Sequence, residues 1–197
     1  MGARLISIIG PVAVGKTTLA EYLSRALPAR IFREDYEGNP FLAESFCGEE
    51  TLALPSQLHF LFMRVRQLAV GTWPSDGLVV TDYGFCQDRL YAKIKLRKDD
   101  METYEQLRRQ VEGLVAPPSV VIHLDAPVET LLRRIQARGR PFEAAYDADY
   151  LERLRQAHFD VALPPDCRKI SINCETVDLL DAGCREHIVE QIREALP

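Results

Sequence analysis

Residues Gly10-Pro-Val-Ala-Val-Gly15-Lys16-Thr17 fit the pattern G-x-x-x-x-G-K-[ST] and follow directly on the apolar run Leu5-Ile-Ser-Ile-Ile9. A buried strand that feeds a glycine-rich turn and then a helix aims successive backbone N–H groups at one point. That point also lies at the positive end of the helix dipole, so an anion is the expected ligand. Gly10, Val12, Ala13, Val14, Gly15 and Thr18 form the expected phosphate cradle. Lys16 would reach the β- and γ-phosphates of a nucleotide, and the Thr17 hydroxyl would hold Mg²⁺. Gly10 and Gly15 stand where a Cβ would block the turn or the phosphate. An accidental glycine turn is the plain alternative; the helical spacing of Leu19, Tyr22, Leu23 and Leu27 weighs against it.

Other polar residues fall where a ligand would need them. The segment 51–70 is apolar almost all round, so burial on most sides is expected, with Pro55 in its first turn. Gln57 and Arg64 are two helical turns apart and share a face, while Arg66 points the opposite way. An amide and a guanidinium on a buried helix need partners. They form either an internal salt bridge that fixes helix packing or a polar pair lining a ligand pocket. Arg134 and Arg138 share a helix face, with Arg140 just beyond Gly139. Such cations suit a phosphate lid, or merely complement a helix C-terminus. Glu34 and Asp82 each follow an apolar strand, at the edge of a parallel sheet where ligands bind. Asp82 suits the metal side, with a helix cap as the rival role. A solvated strand-end charge is the rival for Glu34, and a surface pair with Arg89 the rival for Asp88. The four histidines have no ligand spacing and are expected to be structural.

The elements that must position these groups alternate. Short apolar runs suit strands at Leu5–Ile9, Ala29–Phe32, Leu78–Thr81, Val120–Leu124 and Lys169–Ile172. Helical periodicity falls near 16–27, 51–70, 100–114, 127–138, 147–162 and 184–195. This predicts an α/β fold, with a mostly parallel five-stranded sheet covered by helices on both faces. The 197 residues suit one domain, 1–197, and show no internal repeat. A net charge of −5 argues against non-specific binding to nucleic acid or an anionic membrane. No apolar run approaches bilayer-spanning length, and no cleavable leader or myristoylation pattern opens the chain. Five cysteines without a C-x-x-C read as reduced thiols of a cytoplasmic protein.

Several motifs in order resemble the deoxyribonucleoside kinases, most closely the bacterial deoxyadenosine/deoxyguanosine kinase branch, over roughly residues 4 to 163. They are Glu34-Asp-Tyr-Glu-Gly-Asn39-Pro-Phe-Leu42, Leu54-Pro-Ser-Gln57-Leu58, and Asp82-Tyr83 with Asp88-Arg-Leu-Tyr-Ala92. Arg138-Gly-Arg-Pro-Phe-Glu143 and Tyr150-Leu-Glu-Arg-Leu154 complete the set. The resemblance implies a P-loop kinase with an arginine-rich lid at about 138–146. It implies Glu34 as general base for the nucleoside 5′-hydroxyl, with Lys16, Arg138 and Arg140 also catalytic. It places Gln57 on the base edge, Arg64 and Asp88 as a pair closing the far side of the base pocket, and Glu143 on the sugar 3′-hydroxyl. Arg134 joins the lid arginines over the phosphates, and Asp82 joins Thr17 at Mg²⁺. Tyr83 stands where animal members have an arginine, and Cys47 where the sugar-side tyrosine is usual. A homodimer packed through the apolar helices is also implied.

The expected function is ATP-dependent phosphorylation of a deoxyribonucleoside, preferring purines, in nucleotide salvage. A nucleoside-monophosphate kinase or another P-loop small-molecule kinase is the first alternative, and it would need more cations on the acceptor side. A nucleotide-binding regulatory protein without turnover is the second, although no N-K-x-D base-reading motif is present.

Overall fold

Five apolar segments pair side by side, all parallel, in the order β2-β3-β1-β4-β5. They are β1 (Arg4–Ile9), β2 (Arg30–Phe32), β3 (Leu78–Thr81), β4 (Val120–Asp125) and β5 (Arg168–Asn173). The computed structural model describes residues 2–46 and 49–196; the expectation about Cys47 lies outside them. The pleat sends alternate strand residues to opposite faces. Ile6, Ile8, Val80 and Ile122 pack with Leu19, Leu23, Ile188 and Ile192 on one side. Leu5 and Val79 pack with Leu68 and Tyr83 on the other. Both faces are therefore covered, which explains the near-continuous apolar runs of the three inner strands. The edge strands β2 and β5 are only partly buried.

Among the described residues the helices are α1 (Lys16–Ala26), α2 (Leu42–Phe46), α3 (Ala53–Gln67), α4 (Phe85–Lys95), α5 (Lys98–Val111), α6 (Val128–Arg138), α7 (Ala148–Phe159) and α8 (Ala182–Ala195). None is long and apolar enough to cross a membrane. Two of them, α2 and α4, were not expected from periodicity. The segment 51–70 begins with a 3-10 turn at Glu50–Leu52 and its helix stops at Gln67. Phe62 on it is 47% exposed, so the apolar helix is not buried on every side as expected.

Since every strand is parallel, all five carboxyl ends lie along one edge of the sheet. Gly10 follows β1, Glu34 follows β2 and Asp82 follows β3, so three distant parts of the sequence converge there. Arg155 on α7 fixes the neighbouring corner, donating to both oxygens of Asp125 at the end of β4 (2.9 and 2.8 Å).

Candidate active site

The loop between β1 and α1 has the backbone of an anion cradle. Gly10 has φ +145°, and a Cβ there would lie 2.3 Å from the carbonyl oxygen of Leu124 on β4, so only glycine fits. Gly15 has φ +115° at the head of α1. Ala13 also adopts a positive φ of 62°, a strained setting for a residue with a Cβ. Val14 buries its side chain completely, which leaves its backbone for the cradle. Lys16 folds back along the loop, and its ammonium donates to the carbonyls of Gly10 (2.9 Å) and Pro11 (2.8 Å). Burial lowers its pKa to about 8 against the opposing pull of Glu34 and Asp82.

Three of the predicted residues form one chain of contacts. The Thr17 hydroxyl donates to Asp82 Oδ2 at 2.6 Å, and the backbone N–H of Glu34 donates to Asp82 Oδ1 at 2.8 Å. The carboxylate of Asp82 thus ties β2 and β3 to the start of α1. Burial raises its pKa, while the two hydrogen bonds pull it down. A hydroxyl and one carboxylate beside a phosphate cradle are the donor set that suits Mg²⁺, which is usually held by few protein oxygens together with substrate phosphates.

From this edge a cavity of about 310 Å³ opens, bounded by Lys16, Glu34, Gln57, Arg64 and Glu143 among others. Gln57 is nearly buried in its wall, and Arg64 lies on the same face of α3, as the spacing predicted. Arg66 is exposed. The Arg64 guanidinium pairs with Glu34 through one nitrogen and with Asp88 through the other. It lies over the rings of Phe60 (5.2 Å) and Tyr83 (5.6 Å). Asp88 is fully buried on α4 and also accepts the Tyr104 hydroxyl; Arg89 turns outward to Glu105. So Asp88 is not half of a surface pair with Arg89, and it meets the cavity only through Arg64. Tyr83, the residue after Asp82, is fully buried under Arg64, with its hydroxyl donating to Gln67.

The lid segment closes the other side. Beyond α6, Pro141–Ala145 form a 3-10 turn that carries Glu143 inward, where it is 2% exposed. Arg138 grips Glu143 with two bonds (3.0 and 2.6 Å), and Arg140 adds a third at 3.3 Å. Arg140 also stacks on Tyr36 at 4.0 Å. Arg134 points elsewhere, donating to the carbonyls of Val14 (2.9 Å) and Cys174 (3.5 Å). It thus braces the back of the phosphate loop and is not beside Arg138 over the cavity.

Sequence reasoning did not anticipate Tyr91 and Lys95 of α4, or Tyr146 and Tyr150 near the lid, all of which line the cavity. The signal was available for the first two: Asp88, Tyr91 and Lys95 follow the i, i+3, i+7 spacing of one helix face.

An all-parallel sheet with a P-loop after its central strand, a paired carboxylate and hydroxyl, and a cationic lid defines a P-loop kinase fold. Residues 6–197 match the deoxynucleoside kinase family, and the chain belongs to that family. It is 28% identical to a deoxyguanosine kinase of Bacillus subtilis, over 98% of both chains. It is also 28% identical to that organism's deoxyadenosine/deoxycytidine kinase, over 98% of this chain and 93% of the relative. The fold is similar to that of a deoxyadenosine kinase from M. mycoides solved with dCMP and dCDP. The TM-score is 0.81 at 22% identity, over 96% of this chain and 98% of that one.

Proposed function

We propose that the protein transfers the γ-phosphoryl group of ATP to the 5′-hydroxyl of a purine deoxynucleoside, as a cytoplasmic salvage enzyme. One observation carries the reading. The Glu34 carboxylate stands at the junction of phosphate loop and cavity, tied through its own N–H to Asp82 and through its side chain to Arg64. A carboxylate placed there can orient an acceptor hydroxyl toward the triphosphate.

In this reading the polyphosphate lies on the backbone of Gly10 to Thr18 with Lys16 on the β- and γ-phosphates. Thr17 and Asp82 would hold Mg²⁺, which supplies charge neutralisation to the phosphates. Gln57 hydrogen-bonds the base edge. The acceptor oxygen bonds to the γ-phosphorus as the bond from that phosphorus to the β,γ-bridging oxygen breaks. The hydroxyl proton passes to Glu34, and ADP leaves. Arg138 and Arg140 stabilise the negative charge spread over the transferring group. Glu143 serves both as the anchor of these arginines and as an acceptor for the sugar 3′-hydroxyl. Arg134 acts at one remove, as a positioning residue for the loop.

A homodimer through α3 fits the same reading: the exposed Phe62 sits in a groove with Leu58 and Met63. Light scattering of wild type and Phe62→Glu tests it, a dimer that becomes monomeric being expected.

The decisive experiment is a phosphorylation screen with Mg-ATP against deoxynucleosides, ribonucleosides and their monophosphates. Turnover of purine deoxynucleosides is expected. Turnover confined to monophosphates, or ATP binding without any transfer, would overturn the proposal.

A further inference from the structure

The pairing that holds Glu34 does not end at Arg64. It continues inward through Asp88 to Tyr104, a residue of α5 that is fully buried and stands outside the cavity wall. The Asp88 carboxylate has two oxygens and two partners. Its Oδ1 pairs with Nη1 of Arg64, and its Oδ2 accepts the Tyr104 hydroxyl. The other terminal nitrogen of Arg64, Nη2, goes to Oε1 of Glu34. One guanidinium is thus shared between a carboxylate at the cavity and a carboxylate with no exposure at all.

Sharing of this kind has a rival. The two terminal nitrogens of a guanidinium match the two oxygens of one carboxylate, and the bidentate pair is the stronger arrangement. Asp88 is the favoured competitor, because a charge held away from water gains most from each N–H it can reach. What stops it is that its second oxygen already has a donor. Burial pushes the Tyr104 phenol up to about 12 against the charges of Arg64 and Arg108, so the hydroxyl keeps its proton. The other cations near Tyr104 are engaged elsewhere: Arg89 pairs with Glu105, and Arg108 with Glu112 at 3.3 Å. Without the hydroxyl, Oδ2 of Asp88 would turn to Nη2 of Arg64, the nitrogen that holds Glu34.

We infer that Tyr104 is a positioning residue for phosphoryl transfer: its hydroxyl occupies the second oxygen of Asp88 and so keeps one nitrogen of Arg64 on the carboxylate of Glu34. This rests on the reading of Glu34 as the base, and it adds to the machinery a side chain that touches neither substrate. Three contacts carry the effect from α5 through α4 and α3 to the segment after β2. The consequence falls on kcat. A base that loses its anchor no longer holds the acceptor hydroxyl in line, and small misplacements of reacting groups lower the rate steeply. The phosphate loop keeps its own contacts, so ATP binding is untouched.

The test measures kcat and both KM values for Tyr104→Phe made in three backgrounds: wild type, Glu34→Gln and Asp88→Asn. Phe keeps the buried ring and removes only the hydroxyl. In the wild-type background kcat should fall about 10-fold, with the KM for ATP within about twofold. In Glu34→Gln the same change should alter kcat by less than about twofold, because the carboxylate it acts on is gone. In Asp88→Asn it should again do little, because a neutral amide does not compete for both nitrogens. Leu107→Ala trims the same apolar cluster one turn along α5; its urea midpoint should drop while kcat holds. Normal kcat in Tyr104→Phe overturns the inference. So does a loss that persists in either of the other backgrounds, or one that Leu107→Ala reproduces, both marks of a packing role. Each of these results leaves Glu34 and the kinase reading standing. A Glu34→Gln enzyme with normal turnover removes the base from position 34, and the inference with it.

Discussion

The guanidinium of Arg64 pairs with the carboxylate of Glu34, bringing the last turn of α3 against the segment that follows an edge strand. Arg64 was expected at the far side of a base pocket, in partnership with Asp88. It keeps that partner and adds the residue proposed as the base. The rings of Phe60 and Tyr83 pack against the guanidinium, 5.2 and 5.6 Å from its carbon, and leave its two terminal nitrogens to the two carboxylates. The cation beside Glu34 therefore comes from α3, while the residue after Asp82 is a tyrosine packed under it.

Replacing Arg64 with Met should produce two separable defects. The first is in stability, because Asp88 is left as a buried charge with only Tyr104 to answer it, a loss of about 3–5 kcal/mol on the usual scale for half a buried pair. The second is in turnover, because Glu34 loses the contact that aims it. Adding Asp88→Asn removes the orphan charge and should recover most of the urea midpoint while kcat stays low. Recovery of kcat together with stability would show that Arg64 acts on the fold alone.

Gln57→Ala should reveal a base-side contact. Buried base atoms left without a partner cost roughly 1–3 kcal/mol each. A tenfold or larger drop in kcat/KM for the preferred nucleoside is expected, with the KM for ATP little changed. Steady-state kinetics with each substrate varied in turn checks this, and equal losses on both substrates would mark a folding defect.

The stability of the empty protein should fall in mild acid because of two histidines far from the proposed chemistry. His123 on β4 and His158 on α7 stack at 6.2 Å, both buried. Burial lowers His123 to about 4, helped by the charge of Lys169, and lowers His158 to about 3 despite the Leu154 carbonyl that accepts its Nδ1–H. Between pH 6.5 and about 4 the unfolded chain takes up protons at these positions and the folded chain does not. Stability is thus complete above about pH 6.5 and is lost as pH falls, by up to about 1.4 kcal/mol per pH unit for each ring. Urea midpoints from pH 7 to 5 should drop in wild type and drop less in His123→Gln; identical slopes would exclude the pair as the cause.

How much of this was legible depends on which forces are local. The phosphate loop could be read outright, since Gly10 and Gly15 answer backbone demands that few other residues meet. The strands showed because burial on both faces leaves unbroken apolar runs. Helix α4 did not show, because the face it turns inward carries Gln87, Asp88, Tyr91 and Lys95 in place of the apolar stripe that periodicity detects. A helix that builds a site hides itself in this way. The grip of Arg138 and Arg140 on Glu143 was hidden for a different reason. Like charges spaced along a lid suggest phosphates, and only the inward turn at Pro141–Ala145 shows that a carboxylate gathers them first. The exposure of Phe62 lay out of reach too, as an apolar helix does not state which of its sides the rest of the chain will cover.

Glu34 and Asp35 are adjacent carboxylates, and only one can be the base. A hydroxyl that keeps its proton is a poor nucleophile, and a carboxylate in reach can orient it and accept the proton as the new bond forms. Glu34 borders the cavity and is held by Arg64. Asp35 faces the other way: its Oδ1 accepts the Gly38 N–H at 2.9 Å, and the side chain lies in the groove beside Phe41 and His59. Glu34→Gln keeps the size and most of the hydrogen bonding and removes the basic site. It should lower kcat by roughly 10²–10⁴-fold while leaving ATP binding nearly intact. Asp35→Asn should keep near-normal turnover and lose a little stability from the weakened turn. Single-turnover phosphorylation by the two variants, measured side by side, separates the residues. An inactive Asp35→Asn enzyme beside a normal Glu34→Gln enzyme would move the base to position 35. It would also require the turn at Asp35–Gly38 to open before an acceptor could react.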